Sequence, residues 1–137
     1  MLFLLLIEGL SKLISSGGED GTLQGINISR TLAITHLLFV DDIVIFGTSS
    51  VREWAILHGY FTTFSLASGM VINFDKSVLI PHGISPTRLA PILSLFLARV
   101  GVFDLGFKYL GYHIKANNYT TGDWLWLLRK LDLRINS

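Results

Sequence analysis

The sequence predicts an α+β fold of modest size, and three observations carry that expectation. Apolar residues recur at helical spacing in four stretches. Short β-favouring runs lie between those stretches, and two of them are separated by only two residues. The resulting order alternates helices with strands and suits a small antiparallel sheet with a central β-hairpin packed on helices. The 137 residues are enough for one domain or a piece of one.

A helix is expected over residues 1–15, where Phe3, Leu6, Ile7, Leu10 and Ile14 share a face. Gly17 and Gly18 are its expected stop, and no capping residue opens it, so it reads as cut from a longer chain. Leu23, Ile26 and Ile28 predict a short strand. THLLFV (35–40) and IVIF (43–46) predict two strands turned by Asp41-Asp42, and their near-continuous apolarity predicts cover on both faces. Ser50 and Glu53 form a capping box for a second helix striped by Trp54, Leu57, Phe61 and Phe64 and stopped by Gly69. Val71–Phe74 and Ser77–Ile80 read as strands either side of Asp75-Lys76. A third helix opens at Ser85-Pro86 and places Leu89, Ile92, Leu93, Phe96 and Leu97 on one side, although Pro91 argues for a later start. Residues 107–115 read as a strand or hairpin broken at Gly111. A final helix over 123–135 carries the stripe Trp124, Leu127, Leu128, Leu131 and Ile135 and runs on without a stop signal.

Composition bounds the function. Half the residues are hydrophobic, 15% are charged and mean hydropathy is +0.54, which predicts apolar surface meant for a partner or a neighbouring domain. The net charge of +1 gives no global nucleic-acid signal. From Lys108 onward, five basic residues (Lys108, Lys115, Arg129, Lys130, Arg134) face two acidic ones (Asp123, Asp132), a local excess. Cysteine is absent, which excludes disulfides and thiolate metal sites. The opening run MLFLLLI ends at Glu8, short of the roughly 20 residues a bilayer span needs. It also lacks the charge pattern of a signal peptide. No membrane partner is expected. His36, His58, His82 and His113 are scattered and do not form a zinc pair on a helix face. Most aromatic residues fall on helix stripes or strands and are expected in the core.

Asp41 and Asp42 are the candidate chemistry. From the pair alone, a solvated hairpin tip is the ordinary reading. Two-residue turns prefer glycine or asparagine, however, and adjacent carboxylates repel. A divalent cation would offset that repulsion, and hard oxygen ligands suit Mg²⁺.

Phe39-Val40-Asp41-Asp42 resembles the aromatic-x-Asp-Asp box of reverse transcriptases. The resemblance continues in order along nearly the whole chain. LFLLLIEGLSKLI (2–14) resembles the palm helix before that box, and THLLFVDDIVIFG (35–47) the box itself. SGMVINFDKS (68–77) resembles the next motif, KYLGYHI (108–114) the hairpin that grips the primer, and DWLWLLRKLDLRIN (123–136) the helix beginning the thumb. The whole is similar to the C-terminal part of the palm in plant-type non-LTR (LINE) retrotransposons.

The resemblance implies a partial palm over residues 1–116 and the start of a thumb over 117–137. It implies that Asp41 and Asp42 hold Mg²⁺, that Lys76 lies near the triphosphate, and that Asn73 holds the turn before it. Tyr109, Leu110 and Gly111 match the primer grip, while Lys108, Lys115, Arg129 and Lys130 would contact nucleic acid weakly. The implied partners are an RNA template, a DNA primer and a deoxynucleoside triphosphate; the implied compartment is the nucleus. A further catalytic aspartate and the fingers would lie upstream of residue 1, so weak Mg²⁺ binding and no polymerisation by this chain alone are expected. For Lys76, a solvated turn lysine remains the alternative. For the chain as a whole, a non-catalytic retroelement remnant remains the alternative.

Overall fold

A computed structural model describes residues 2–115 and 118–136. The chain is mixed α and β, with helices α1 (Leu2–Glu19), α2 (Val51–Ser68), α3 (Pro86–Leu95) and α4 (Leu125–Ile135). The strands are β1 (Ile26–Asn27), β2 (Ala33–Ile34), β3 (His36–Phe39), β4 (Asp42–Ile45), β5 (Val78–Leu79), β6 (Arg99–Val100), β7 (Phe107–Tyr109) and β8 (Tyr112–Ile114). They form four separate two-stranded sheets in place of the single small sheet expected. Three pairs are antiparallel, and β5 with β6 is parallel. Two compact units divide the chain, Met1–Gly101 and Val102–Ser137. The expected boundary at 116/117 falls outside the described residues.

In the first unit, the α1 stripe was read correctly: Ile7, Leu10 and Ile14 are buried. They pack with Leu57, Phe61 and Phe64 of α2 and with Leu23 and Phe96. Fully burying one such side chain contributes roughly 1.5–3 kcal/mol, so these contacts hold the unit. Gly17 and Gly18 do not stop α1, as expected above; the helix runs through them to Glu19. Gly17 serves close packing instead, since a Cβ there would lie 2.9 Å from Leu23 Cγ and 3.0 Å from the Tyr60 hydroxyl.

Helix α3 begins at Pro86 and accommodates Pro91, so the later start is not needed. Phe96 and Leu97 lie beyond its end, where the backbone turns extended. Phe96 there meets the rings of Trp54, His58, Phe61 and Phe74 at centroid distances of 5.5–6.2 Å. Leu97 is 84% exposed, contrary to its expected place on the buried face. Residues 71–74 are not a strand. Asn73 captures the chain there, its Oδ1 accepting from the Lys76 amide at 3.1 Å and its carbonyl from the Ser77 hydroxyl at 2.8 Å. A side chain that bonds its own backbone competes with strand pairing.

Helix α2 starts at Ser50, whose hydroxyl accepts from the Glu53 amide at 3.4 Å, and ends at left-handed Gly69, whose amide donates to the Ser65 carbonyl. The reciprocal half of the expected capping box is absent. Glu53 turns inward instead and is the one buried charged side chain among the described residues. Its Oε1 accepts from the Gln24 and Gly25 amides at 2.8 and 3.3 Å, and its Oε2 from the Thr48 amide at 2.8 Å and from the Thr48 hydroxyl. A buried carboxylate is costly unless it is fully hydrogen-bonded, and these four donors meet that condition.

Glu53→Ala would leave those donors without their acceptor. Urea unfolding of the full chain should show a loss of at least roughly 3 kcal/mol. Amide exchange should accelerate at Gln24, Gly25 and Thr48. A loss under about 1 kcal/mol would contradict the role assigned to this carboxylate.

Candidate functional site

The hairpin β3–β4 pairs His36 with Ile45, Leu38 with Ile43 and Phe39 with Asp42. Side chains alternate across a strand, so its two faces differ. Leu38, Ile43 and Ile45 pack on the core of the first unit. Leu37 and Phe39 are exposed. One face is therefore covered and the other open, where cover on both faces had been expected. His36 adds a polar tie to α1: its Nε2 lies 2.8 Å from the Ser11 hydroxyl and its Nδ1 3.0 Å from the Thr35 hydroxyl. Burial lowers the pKa of His36, which favours the neutral ring.

The register moves the turn by one residue. Val40 and Asp41 form the bend, and Asp42 opens β4, so Asp41-Asp42 is not the turn pair. Both aspartates are exposed at the tip. Val40 has φ +55°, at the first central position of the turn, where glycine is favoured. A β-branched residue is strained there, at a cost of roughly 1–2 kcal/mol.

Lys76 is exposed in the turn that Asn73 holds, so Asn73 has the structural part expected of it. Phe74, two residues earlier, packs on the core and fixes that turn to the first unit. Among the described residues, Lys76 forms no ion pair with Asp41 or Asp42.

The second unit holds the other candidates. Tyr109 pairs with Tyr112 across a two-residue turn, Leu110-Gly111, with φ of +51° and +81°. Positive φ at both positions is the twist-matched hairpin geometry, and Gly111 adopts it without strain. Leu110, Gly111, Tyr112, Trp126 and Leu131 line a cavity of about 240 Å³ beside Lys130 and Arg134. Tyr109 is not part of that lining. Lys108 is exposed on β7 opposite His113, and Arg129 is exposed on α4. Lys115 is engaged locally, its Nζ 2.6 Å from Asp123 Oδ2. That carboxylate also accepts from the Thr120 amide and hydroxyl, at 2.6 and 2.8 Å, which caps the turn leading into α4. With Lys115 donating first and Thr120 next, the Asp123 carboxyl is pushed down to about 2. The stripe on α4 finds no core: none of its side chains is buried.

Mg²⁺ takes carboxylate oxygens, commonly one or two from the protein with water and phosphate completing its shell. Asp41 and Asp42 fit that donor chemistry. Among the described residues no group of three ligating side chains exists. No helix among the described residues is long and apolar enough to cross a membrane. No family model, curated protein or solved structure matches the chain.

Val40→Gly should relieve the turn. The gain from removing strain exceeds the added chain entropy, for a net stabilisation of roughly 0.5–1 kcal/mol in urea unfolding. A destabilised Val40→Gly would contradict a positive φ at this position.

Proposed function

We propose that the chain is a palm fragment of an RNA-directed DNA polymerase, a reverse transcriptase, that does not polymerise alone. The observation that carries this proposal is an exposed pair of carboxylates at the tip of a two-residue hairpin anchored on the core by one face. Asp41 and Asp42 would hold Mg²⁺ where primer end and triphosphate meet. Bound there, the ion supplies Lewis-acid stabilisation of the attacking and leaving oxygens. Lys76 would offset charge on the triphosphate, with Asn73 fixing its turn. Tyr109, Leu110 and Gly111 would support the primer, and Lys130 beside that hairpin tip would face a phosphate of an RNA template or DNA primer. Lys115 is a poorer candidate for nucleic acid, because Asp123 neutralises it.

A second reading, a retroelement remnant without catalysis, is favoured by the lack of a third ligating side chain among the described residues. Primer extension on an RNA template with Mg²⁺ separates the two. The chain alone should give no product. Joined to an upstream palm segment that carries a further aspartate, it should extend the primer, and Asp41→Asn with Asp42→Asn should cut the rate by at least about 100-fold. No extension by the joined protein favours the remnant. Extension by the chain alone would refute its incompleteness.

A further inference from the structure

We propose that an aromatic pocket in the second unit binds a methylated lysine side chain of a partner protein. This inference goes beyond the polymerase reading and does not depend on it. The pocket has a volume of about 80 Å³, room for one small headgroup, and is lined by Tyr112, Tyr119, Trp124, Trp126 and the Asp123 carboxylate, with His113 and Ile114. Tyr119 and Trp124 stand 5.4 Å apart between ring centroids, and Tyr112 and Trp126 stand 6.2 Å apart at 85°. Tyr119 is held in place by its hydroxyl, which donates to the His113 carbonyl at 2.8 Å.

Ring faces carry negative potential and attract cations. Asp123 contributes a carboxylate to the lining, and that carboxylate is ion-paired with Lys115. Exposure separates these rings from an ordinary core cluster: Tyr112 is 62%, Tyr119 46% and Trp124 45% exposed. Large aromatic surface left open around a carboxylate has the chemistry of a cation cage.

The chain itself indicates which cation. The Lys115 ammonium lies 5.7 Å from the Tyr119 ring centroid and bonds Asp123. A lysine ammonium thus already uses one wall and the carboxylate. Lys115 does not line the cavity, so the remaining space is open beside it. An unmodified ammonium is strongly hydrated and needs hydrogen-bond acceptors, which Asp123 has already committed to Lys115 and Thr120. Trimethylation keeps the charge, removes the donors and sheds water, which suits an aromatic wall.

The test titrates the full chain with Nα-acetyl-Nε-trimethyllysine amide and follows the three tryptophan indole signals by NMR. Trp124 and Trp126 should shift saturably and Trp54 should not. The neutral tert-butyl isostere should bind about fivefold more weakly or worse, and Tyr119→Leu should weaken the cation about fivefold. Lys115→Met removes a like charge beside the cavity and should tighten binding several-fold, a direction that damage to the fold would not give. Equal binding of the neutral isostere, a shift of Trp54, no saturation, or no gain in Lys115→Met would overturn the proposal. Phosphatidylcholine vesicles that bind while trimethyllysine does not would overturn it in favour of a lipid headgroup.

Discussion

One buried carboxylate closes the segment that carries the two aspartates. Glu53 accepts from Gln24 and Gly25, just before β1, and from Thr48, just after β4. Everything between those points, including both hairpins of the first unit, leaves and returns through that junction. Holding two loop ends together lowers the conformational freedom of what lies between them. The covered face of β3–β4 then seats on the α1–α2 core through Leu38, Ile43 and Ile45. The exposed tip, with Asp41 and Asp42, is what projects from this arrangement.

The periodic parts of this fold could be read from residues alone. The buried positions of α1 and α2 recur at three and four, and the register of the core followed from that spacing. The β3–β4 hairpin was marked by two apolar runs only two residues apart, and residues 107–115, read as a strand or hairpin, by Gly111. Three of the misreadings shared one cause: a residue type with two uses. Gly17 was taken as a stop and is a packing position under Leu23 and Tyr60. Glu53 was taken as a cap partner and is a buried acceptor for amides almost 30 positions away in sequence. Asn73 lies in a stretch with strand composition, and its side chain bends that stretch away from pairing. Such choices are settled by tertiary contacts, which local pattern does not contain.

The candidate site divides the same way. The aspartate pair, its hairpin and the Asn73–Lys76 turn followed from type and order. The position of the bend did not, because Val40 takes a positive φ that its branched side chain disfavours. Strain of this kind persists only where the surroundings enforce it, and it gathers at functional positions. In the second unit, the basic excess counted along the chain proved uneven. Lys130 lies at the hairpin cavity, whereas Lys115 is paired with Asp123. Tyr112, Tyr119 and Trp124 there are exposed, although most aromatic residues were expected in the core.

The polymerase reading depends on a divalent cation meeting the hairpin tip. Mn²⁺, a paramagnetic stand-in for Mg²⁺, tests that contact directly by broadening amide signals near its binding site. Addition to the full chain should broaden the amides of Val40, Asp41, Asp42 and Ile43 first, and Asp41→Asn with Asp42→Asn should abolish the effect. Broadening centred elsewhere, or undiminished in the double variant, would contradict the account.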